Sequence, residues 1–153
     1  IAVVVGGIIA GFWVAGSPVQ QRTVRFDERR VIDLSSIQYQ VIYYWQHKEA
    51  LPQTLAELNN NDLSGFVVPR DPETNIDYTY RITGPLSFEL CATFQTETDN
   101  NLGGVPMGGV ESGGTAVRPD GLPFDGWSHG KGMTCFNRTI DSDYFPPIMK
   151  VVR

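Results

Sequence analysis

The first 21 residues of the chain carry no charged side chain, and this feature constrains the fold more than any other. Residues 1–16 are all apolar or glycine. An α-helix rises about 1.5 Å per residue, so about 20 such residues match the roughly 30 Å hydrocarbon thickness of a bilayer. Residues 1–21 are therefore predicted to form an apolar helix that spans a membrane or packs in a bundle of helices. A cleaved signal peptide, ending near residues 15–17, is the alternative, but no basic region precedes the apolar run.

A second helical pattern follows the apolar stretch. Apolar residues recur at helical spacing at positions 24, 31, 34, 37, 41 and 45, which is the stripe of an amphipathic helix. One long helix is therefore predicted from residue 1 to about residue 48, shortly before Pro52. Gly16 and Pro18 are expected to kink it, because proline removes a backbone donor and clashes with the preceding turn.

The rest of the chain is predicted to form a β-rich head. A capping box at Thr54–Glu57 opens a short helix, and residues 66–68 are predicted to form a short strand. Apolar and polar residues alternate over 78–82 and 88–94, which predicts an antiparallel hairpin over the amphipathic half of the long helix.

A further strand is predicted over residues 133–140. Residues 95–130 are rich in glycine and lack periodicity, as in a long loop. The fold class is thus α+β, with an apolar helix over residues 1–21 and, over 22–153, an amphipathic half-helix joined to a small antiparallel head.

The two cysteines, Cys91 and Cys135, are predicted to form a disulfide. A polar head after an apolar anchor indicates an extracytoplasmic location, where thiols oxidise. The bond would close a loop of about 45 residues and stabilise the fold by roughly 3–4 kcal/mol. Two buried thiols, or a metal pair that lacks its other ligands, are the alternatives.

Charge argues against a nucleic-acid partner. The net charge is −5, and the one group of basic residues is interleaved with acids. Its members are Arg22, Arg25, Asp27, Glu28, Arg29, Arg30 and Asp33. This mixture is typical of a solvated or inter-subunit salt-bridging helix face and not of a phosphate-binding patch.

Little in the sequence indicates catalysis. Only His47 and His129 could act as acid–base groups near neutral pH. A nucleophilic pair of His129 with Cys135 would need a reduced thiol and a third orienting group. A hydrolase that uses His129 and a carboxylate is the enzymatic alternative, and the chain is expected not to be an enzyme.

Three features together resemble the type IV pilins and the pseudopilins of type II secretion. The first is an apolar helix that starts at residue 1, as if exposed by prepilin peptidase, and the second is the Gly16/Pro18 pair. The third is an order of segments along the chain: the helix from Asp27–Leu34 through Tyr44, then Leu51-Pro-Gln-Thr-Leu55, Asp71-Pro72 and Tyr78-Thr-Tyr80. The likeness covers about residues 1–94.

The resemblance implies a structural subunit of a filament at the bacterial cell surface, anchored in the membrane before assembly. Subunits would form a helical homo-oligomer through the apolar helix, by way of Ile1, Val5, Ile8, Ile9, Phe12 and Trp13. Ile1 and Val5 stand where family members usually carry an aromatic residue and a glutamate. A single membrane-anchored binding or assembly module outside the cytoplasm is the alternative.

The resemblance also bears on metal binding. Major pseudopilins bind calcium in a head loop, so Asp99, Asp120 and Asp125 are candidate calcium ligands, since carboxylate oxygens suit this cation. No other cofactor is expected.

Overall fold

Helix α1 (Pro18–Lys48) leads the fold of this computed structural model, which describes residues 18–59, 65–98 and 126–148. A one-turn helix α2 (Ala56–Asn59) follows, and then strands β1 (Thr79–Gly84), β2 (Ser87–Phe94) and β3 (Gly132–Thr139). The predicted α+β class is confirmed, with one long helix and one small antiparallel sheet.

Helix α1 follows from the stripe of apolar residues along its sequence. One face of the helix is buried, with Leu34, Ile37, Val41, Ile42 and Trp45 in the core. His47 and Lys48 lie in the last turn, where cations interact favourably with the helix dipole. Glu49 then adopts a left-handed φ of 55°, which stops the helix close to the predicted end.

The sheet has the order β1-β2-β3, and both pairs of strands are antiparallel. The predicted hairpin of β1 and β2 is confirmed, with Tyr80 opposite Leu90 and a turn at residues 85–86. Strand β2 lies in the centre, with Phe88, Leu90, Ala92 and Phe94 buried on one face and Cys91 buried on the other. The four side chains of the first face lie in the same core cluster as the buried face of α1, so the sheet of the head covers that face of the helix.

The last described residues return to the helix. Ile140 N–H donates to the carbonyl of Leu86, and Ile148 N–H donates to the carbonyl of Gln46. Because Gln46 lies near the end of α1, the segment after β3 is tied both to the hairpin turn and to the helix.

The strand predicted over residues 66–68 is wrong. These residues form no strand: Val67 is exposed, and Val68 N–H donates to the side chain of Asn59. The N–H groups of a strand donate to the backbone carbonyls of a neighbouring strand. Here the acceptor for Val68 is a side-chain oxygen instead. Nearby, Arg70 and Asp77 form an isolated antiparallel bridge.

The predicted helix over residues 1–48 is present from Pro18 onward, and its first 17 residues lie outside the described part. None of the helices within the described ranges has the length and apolar character needed to cross a bilayer.

Candidate functional site

Arg30 lies in the middle of a buried polar cluster between α1 and the head. Only 2% of the residue is exposed. Its guanidinium donates to both carboxylate oxygens of Asp71, at 2.5 and 3.1 Å. It also donates to Asp27 at 2.7 Å and to Glu73 at 2.8 Å. Three carboxylates therefore surround one guanidinium.

Asp27 extends this cluster to the segment that leaves β2. Its carboxylate accepts hydrogen bonds from the backbone N–H of Gln95 and Thr96, and from the Thr96 hydroxyl at 2.6 Å. The Gln95 side-chain amide in turn donates to Glu73. The cluster thus joins the helix to the end of the central strand.

Asp71 forms the turn that the Asp-Pro sequence predicted. Its Oδ1 accepts hydrogen bonds from the N–H groups of Glu73 and Thr74, at 3.0 and 2.9 Å. Asp and Asn favour such turns because their short side chains reach the backbone two or three residues on. Since the same carboxylate binds Arg30, the turn is fixed to α1.

Electrostatics keep the members of the cluster charged. Burial raises the pKa of Asp71, but Arg30 and the two N–H donors outweigh burial and lower that pKa to about 2. The pKa of Asp27 is also lowered, because hydrogen bonds from Thr96, Gln95 and Arg30 outweigh the opposing effect of burial. Burial lowers the pKa of Arg30, yet the bonds to its three carboxylates raise it above the ordinary value.

A second buried carboxylate lies one turn further along α1. Asp33 accepts a hydrogen bond from the Tyr78 hydroxyl at 2.9 Å. It also forms an ion pair with Arg29 at 3.1 Å. Burial raises the pKa of Asp33 despite these partners, and burial with the nearby carboxylate also raises the pKa of Tyr78. Asp33 thus fixes Tyr78, the residue before β1, to the helix.

This arrangement is suited to holding segments together and not to proton transfer at neutral pH. The Asp27 carboxylate has four donors, and the guanidinium of Arg30 is shared by three acceptors. Lowered carboxylate pKa values and a raised guanidinium pKa move both away from neutrality.

The sulfur atoms of Cys91 and Cys135 lie 2.10 Å apart, a disulfide distance. The two residues are directly opposite each other in β2 and β3. Glu89 is close enough to share a metal with these sulfurs, but a disulfide leaves neither sulfur as a thiolate ligand.

The structure does not bring His129 and Cys135 together as a nucleophilic pair. Cys135 is bonded to Cys91, and the His129 ring stacks on Phe94 with ring centres 3.6 Å apart. His47 lies in the last turn of α1, where its Nδ1 is 2.8 Å from the carbonyl oxygen of Tyr43. Both histidines therefore have structural contacts.

The described part of the chain also presents an exposed ridge and a groove. On α1, Arg25, Ile32 and Tyr39 are exposed at seven-residue spacing, and we call them the helix ridge. A groove of about 310 Å³ lies on the other side of the head, beside the 71–77 turn. Exposed Ile76 and Met133 line it, and we call it the turn groove.

The other predicted site residues lie outside the described part. These are the candidate calcium ligands Asp99, Asp120 and Asp125, the assembly residues Ile1, Val5, Ile8, Ile9, Phe12 and Trp13, and Gly16 of the predicted kink. Pro18 is the first described residue of α1.

The prediction of a solvated or inter-subunit salt-bridging face was wrong for Asp27, Arg30 and Asp33, which are buried. Charged residues are expected to be exposed, but the positions of these residues along the helix indicate burial. Residues 27, 30, 34, 37 and 41 follow one another at spacings of three and four. The buried stripe of α1, continued toward the N-terminus, therefore includes Asp27 and Arg30, which form an ion pair.

Comparison with models of known protein families, with curated proteins and with solved structures found no match. Any functional assignment therefore depends on the chain's own residues.

Proposed function

We propose that this chain is the structural subunit of a pilus-like filament at the bacterial cell surface, polymerised through its apolar N-terminal helix. The observation that carries the proposal is that the head covers only the second part of the long helix. Residues 20–22 and 25 of α1 are exposed, and burial becomes extensive only from Asp27 onward. The described head thus covers the amphipathic half, while the apolar sequence of residues 1–16 precedes it.

The free energy for assembly would come from that apolar sequence. Burying about 1,000 Å² of apolar surface per subunit contributes on the order of 25 kcal/mol before ordering costs. Copies of the same helix supply the apolar surroundings that this burial requires, and the acidic head, in a chain of net charge −5, stays in water.

The buried Arg30 cluster supports the same proposal. A regular polymer requires every subunit to hold its head at the same angle to its helix. The guanidinium joins α1 to Asp71 and Glu73, and Asp27 joins α1 to residues 95 and 96. These charged hydrogen bonds fix direction as well as distance, so they give a rigid joint of helix and head.

The test is assembly of the purified full chain. The chain is kept in detergent, the detergent is dialysed away, and the product is examined by electron microscopy and sedimentation. We expect filaments that lengthen with protein concentration. Isolated particles under all conditions, or monomers that stay in lipid vesicles, would instead support the membrane-anchored module.

Paired variants locate the assembling segment. Ile8→Asp places a charge in the apolar helix and is expected to abolish filaments, because an unpaired charge in an apolar bundle is costly. Val67→Asp changes an exposed apolar residue of the head and should leave assembly intact. Filaments of normal yield from the Ile8→Asp variant would contradict the proposal.

A further inference from the structure

The helix ridge and the turn groove have complementary chemistry. The ridge presents one cation and then two apolar side chains, Arg25, Ile32 and Tyr39, about 10.5 Å apart along α1. No acid among the described residues pairs with Arg25. Arg22, one turn earlier, is also exposed and lies over the ring of Phe26. Glu28, between Arg25 and Ile32, is exposed as well. This end of the ridge therefore carries two cations and one acid and is basic on balance.

The turn groove combines apolar and acidic groups. Ile76 is 66% exposed and Met133 is 72% exposed, so both present apolar surface to the solvent. Arg30 and the carboxylates of Asp71 and Glu73 lie along the same groove.

The acidic character of the groove is built into the cluster beneath it. One guanidinium faces the three carboxylates of Asp27, Asp71 and Glu73, which leaves two negative charges. Asp77 at the rim is paired with Arg70 and adds no net charge. The groove therefore attracts a cation that carries apolar surface beside it.

The two surfaces face opposite ways. The ridge lies on the side of α1 away from its buried stripe. Met133 lies on the face of the sheet opposite the core, as do Thr79 and Thr93 of the groove. Two copies therefore cannot form both ridge–groove contacts with each other at once. The contact is heterologous, and it can repeat from copy to copy along a helical polymer.

We propose that the turn groove of one subunit binds the helix ridge of a second copy, with Arg25 toward the acidic cluster and Ile32 against Ile76 and Met133. This inference rests on the proposed filament, and it names the contact between heads that accompanies packing of the apolar helices. Charge complementarity sets the register of such a contact, and a like charge placed opposite Arg25 weakens it.

The test changes the charge of the groove without breaking a bond. Thr79 is exposed and lines the groove. Thr79→Lys should raise the protein concentration needed for filament assembly about tenfold, and Thr79→Glu should lower it. Thr83→Lys, at an exposed position of β1 outside the groove, is the control and should assemble as the unchanged chain does.

A charge exchange identifies the partner. Arg25→Glu alone should raise the required concentration, and the double variant Arg25→Glu/Thr79→Lys should return it toward that of the unchanged chain. A photoreactive amino acid at Met133 should cross-link to residues 25–39 of a neighbouring subunit, mapped by mass spectrometry. Circular dichroism of each variant separates loss of folding from loss of contact.

The outcomes distinguish the two proposals. Suppose that the concentration needed for assembly does not depend on the charge at position 79, and that Met133 cross-links to residues other than 25–39. This result would overturn the inference and would not affect the proposed filament. Cross-links between two turn grooves would indicate a closed dimer and overturn it as well. If the unchanged chain forms no filament, the proposed function fails and this contact fails with it.

Discussion

Arg30 shows how one charged residue can belong to a protein interior. Removing a guanidinium from water is costly, and the cost is offset only when geometry and hydrogen bonds are good. Here four hydrogen bonds join the guanidinium to three carboxylates. The cluster is therefore expected to be sensitive to loss of any single member.

The first prediction concerns Arg30→Ala. It should lower the free energy of unfolding by about 3–5 kcal/mol, because three carboxylates would lose their buried cation. Arg25→Ala, at an exposed position of the same helix, should change it by less than about 0.5 kcal/mol. Urea denaturation at neutral pH measures both. Equal effects of the two substitutions would show that the cluster does not hold the head to the helix.

The second prediction concerns pH. The pKa of Asp71 is lowered from 3.8 to about 2, so its stabilising effect is present above about pH 4 and is lost as the pH falls toward 2. That effect amounts to about 2 kcal/mol. The pKa values of Asp27 and Glu73 are lowered too and act in the same direction. The raised pKa of Asp33 acts in the opposite direction.

Urea denaturation at pH values between about 5 and 2 checks this expectation. The loss of stability on acidification should be smaller by about 2 kcal/mol in Asp71→Asn than in the unchanged chain. Asp143→Asn, at an exposed position, should leave the loss unchanged. An identical pH profile for Asp71→Asn would contradict the assigned ion pair.

At the scale of single elements, α1 has two faces that can be compared with one residue type. Ile37 is 0% exposed and Ile32 is 57% exposed. Ile37→Ala should cost about 2–5 kcal/mol through lost burial and a cavity, whereas Ile32→Ala should cost less than about 0.5 kcal/mol. Thermal and urea unfolding measure both variants. A large loss of stability in Ile32→Ala would show that the face of α1 with Ile32 is buried, contrary to the structure.

The disulfide constrains the sheet across the glycine-rich segment. Cys91 and Cys135 are 44 residues apart in sequence, and closing a loop of that length stabilises by about 4 kcal/mol in the chain-entropy treatment. Reduction should therefore lower the melting temperature of the unchanged chain. The double variant Cys91→Ala/Cys135→Ala should melt at the lower temperature, and its melting temperature should not change when reductant is added. An unchanged melting temperature on reduction would argue against the bond.

Elements with a local periodicity could be predicted from the sequence. The apolar stripe of α1 and the alternation of β1 and β2 are visible within single segments, and both are present in the structure. Residues 66–68 looked like a strand, but pairing depends on a neighbour that the segment itself does not reveal. The Arg30 cluster is not predicted, because charged residues are expected at the surface, although Asp27 and Arg30 continue the buried stripe.

At the scale of the whole molecule, the head contains its own core. The buried cluster begins at Leu34 and ends at Ile140, with no member before the middle of α1 among the described residues. A chain that lacks residues 1–17 should therefore unfold in urea with a free energy within about 1 kcal/mol of the full chain. It should sediment as a monomer. Failure of this shortened chain to fold would show that the head depends on the apolar segment.

The span of the Arg30 cluster has a consequence for the kinetics of folding. Its hydrogen bonds from α1 to the 71–73 turn and to residues 95–96 join positions 41 to 69 apart in sequence, and such distant contacts form after the long intervening segments have closed. Interactions absent from the transition state act on the unfolding rate and leave the folding rate nearly unchanged. We therefore expect the cluster to prolong the lifetime of the native head without hastening its formation.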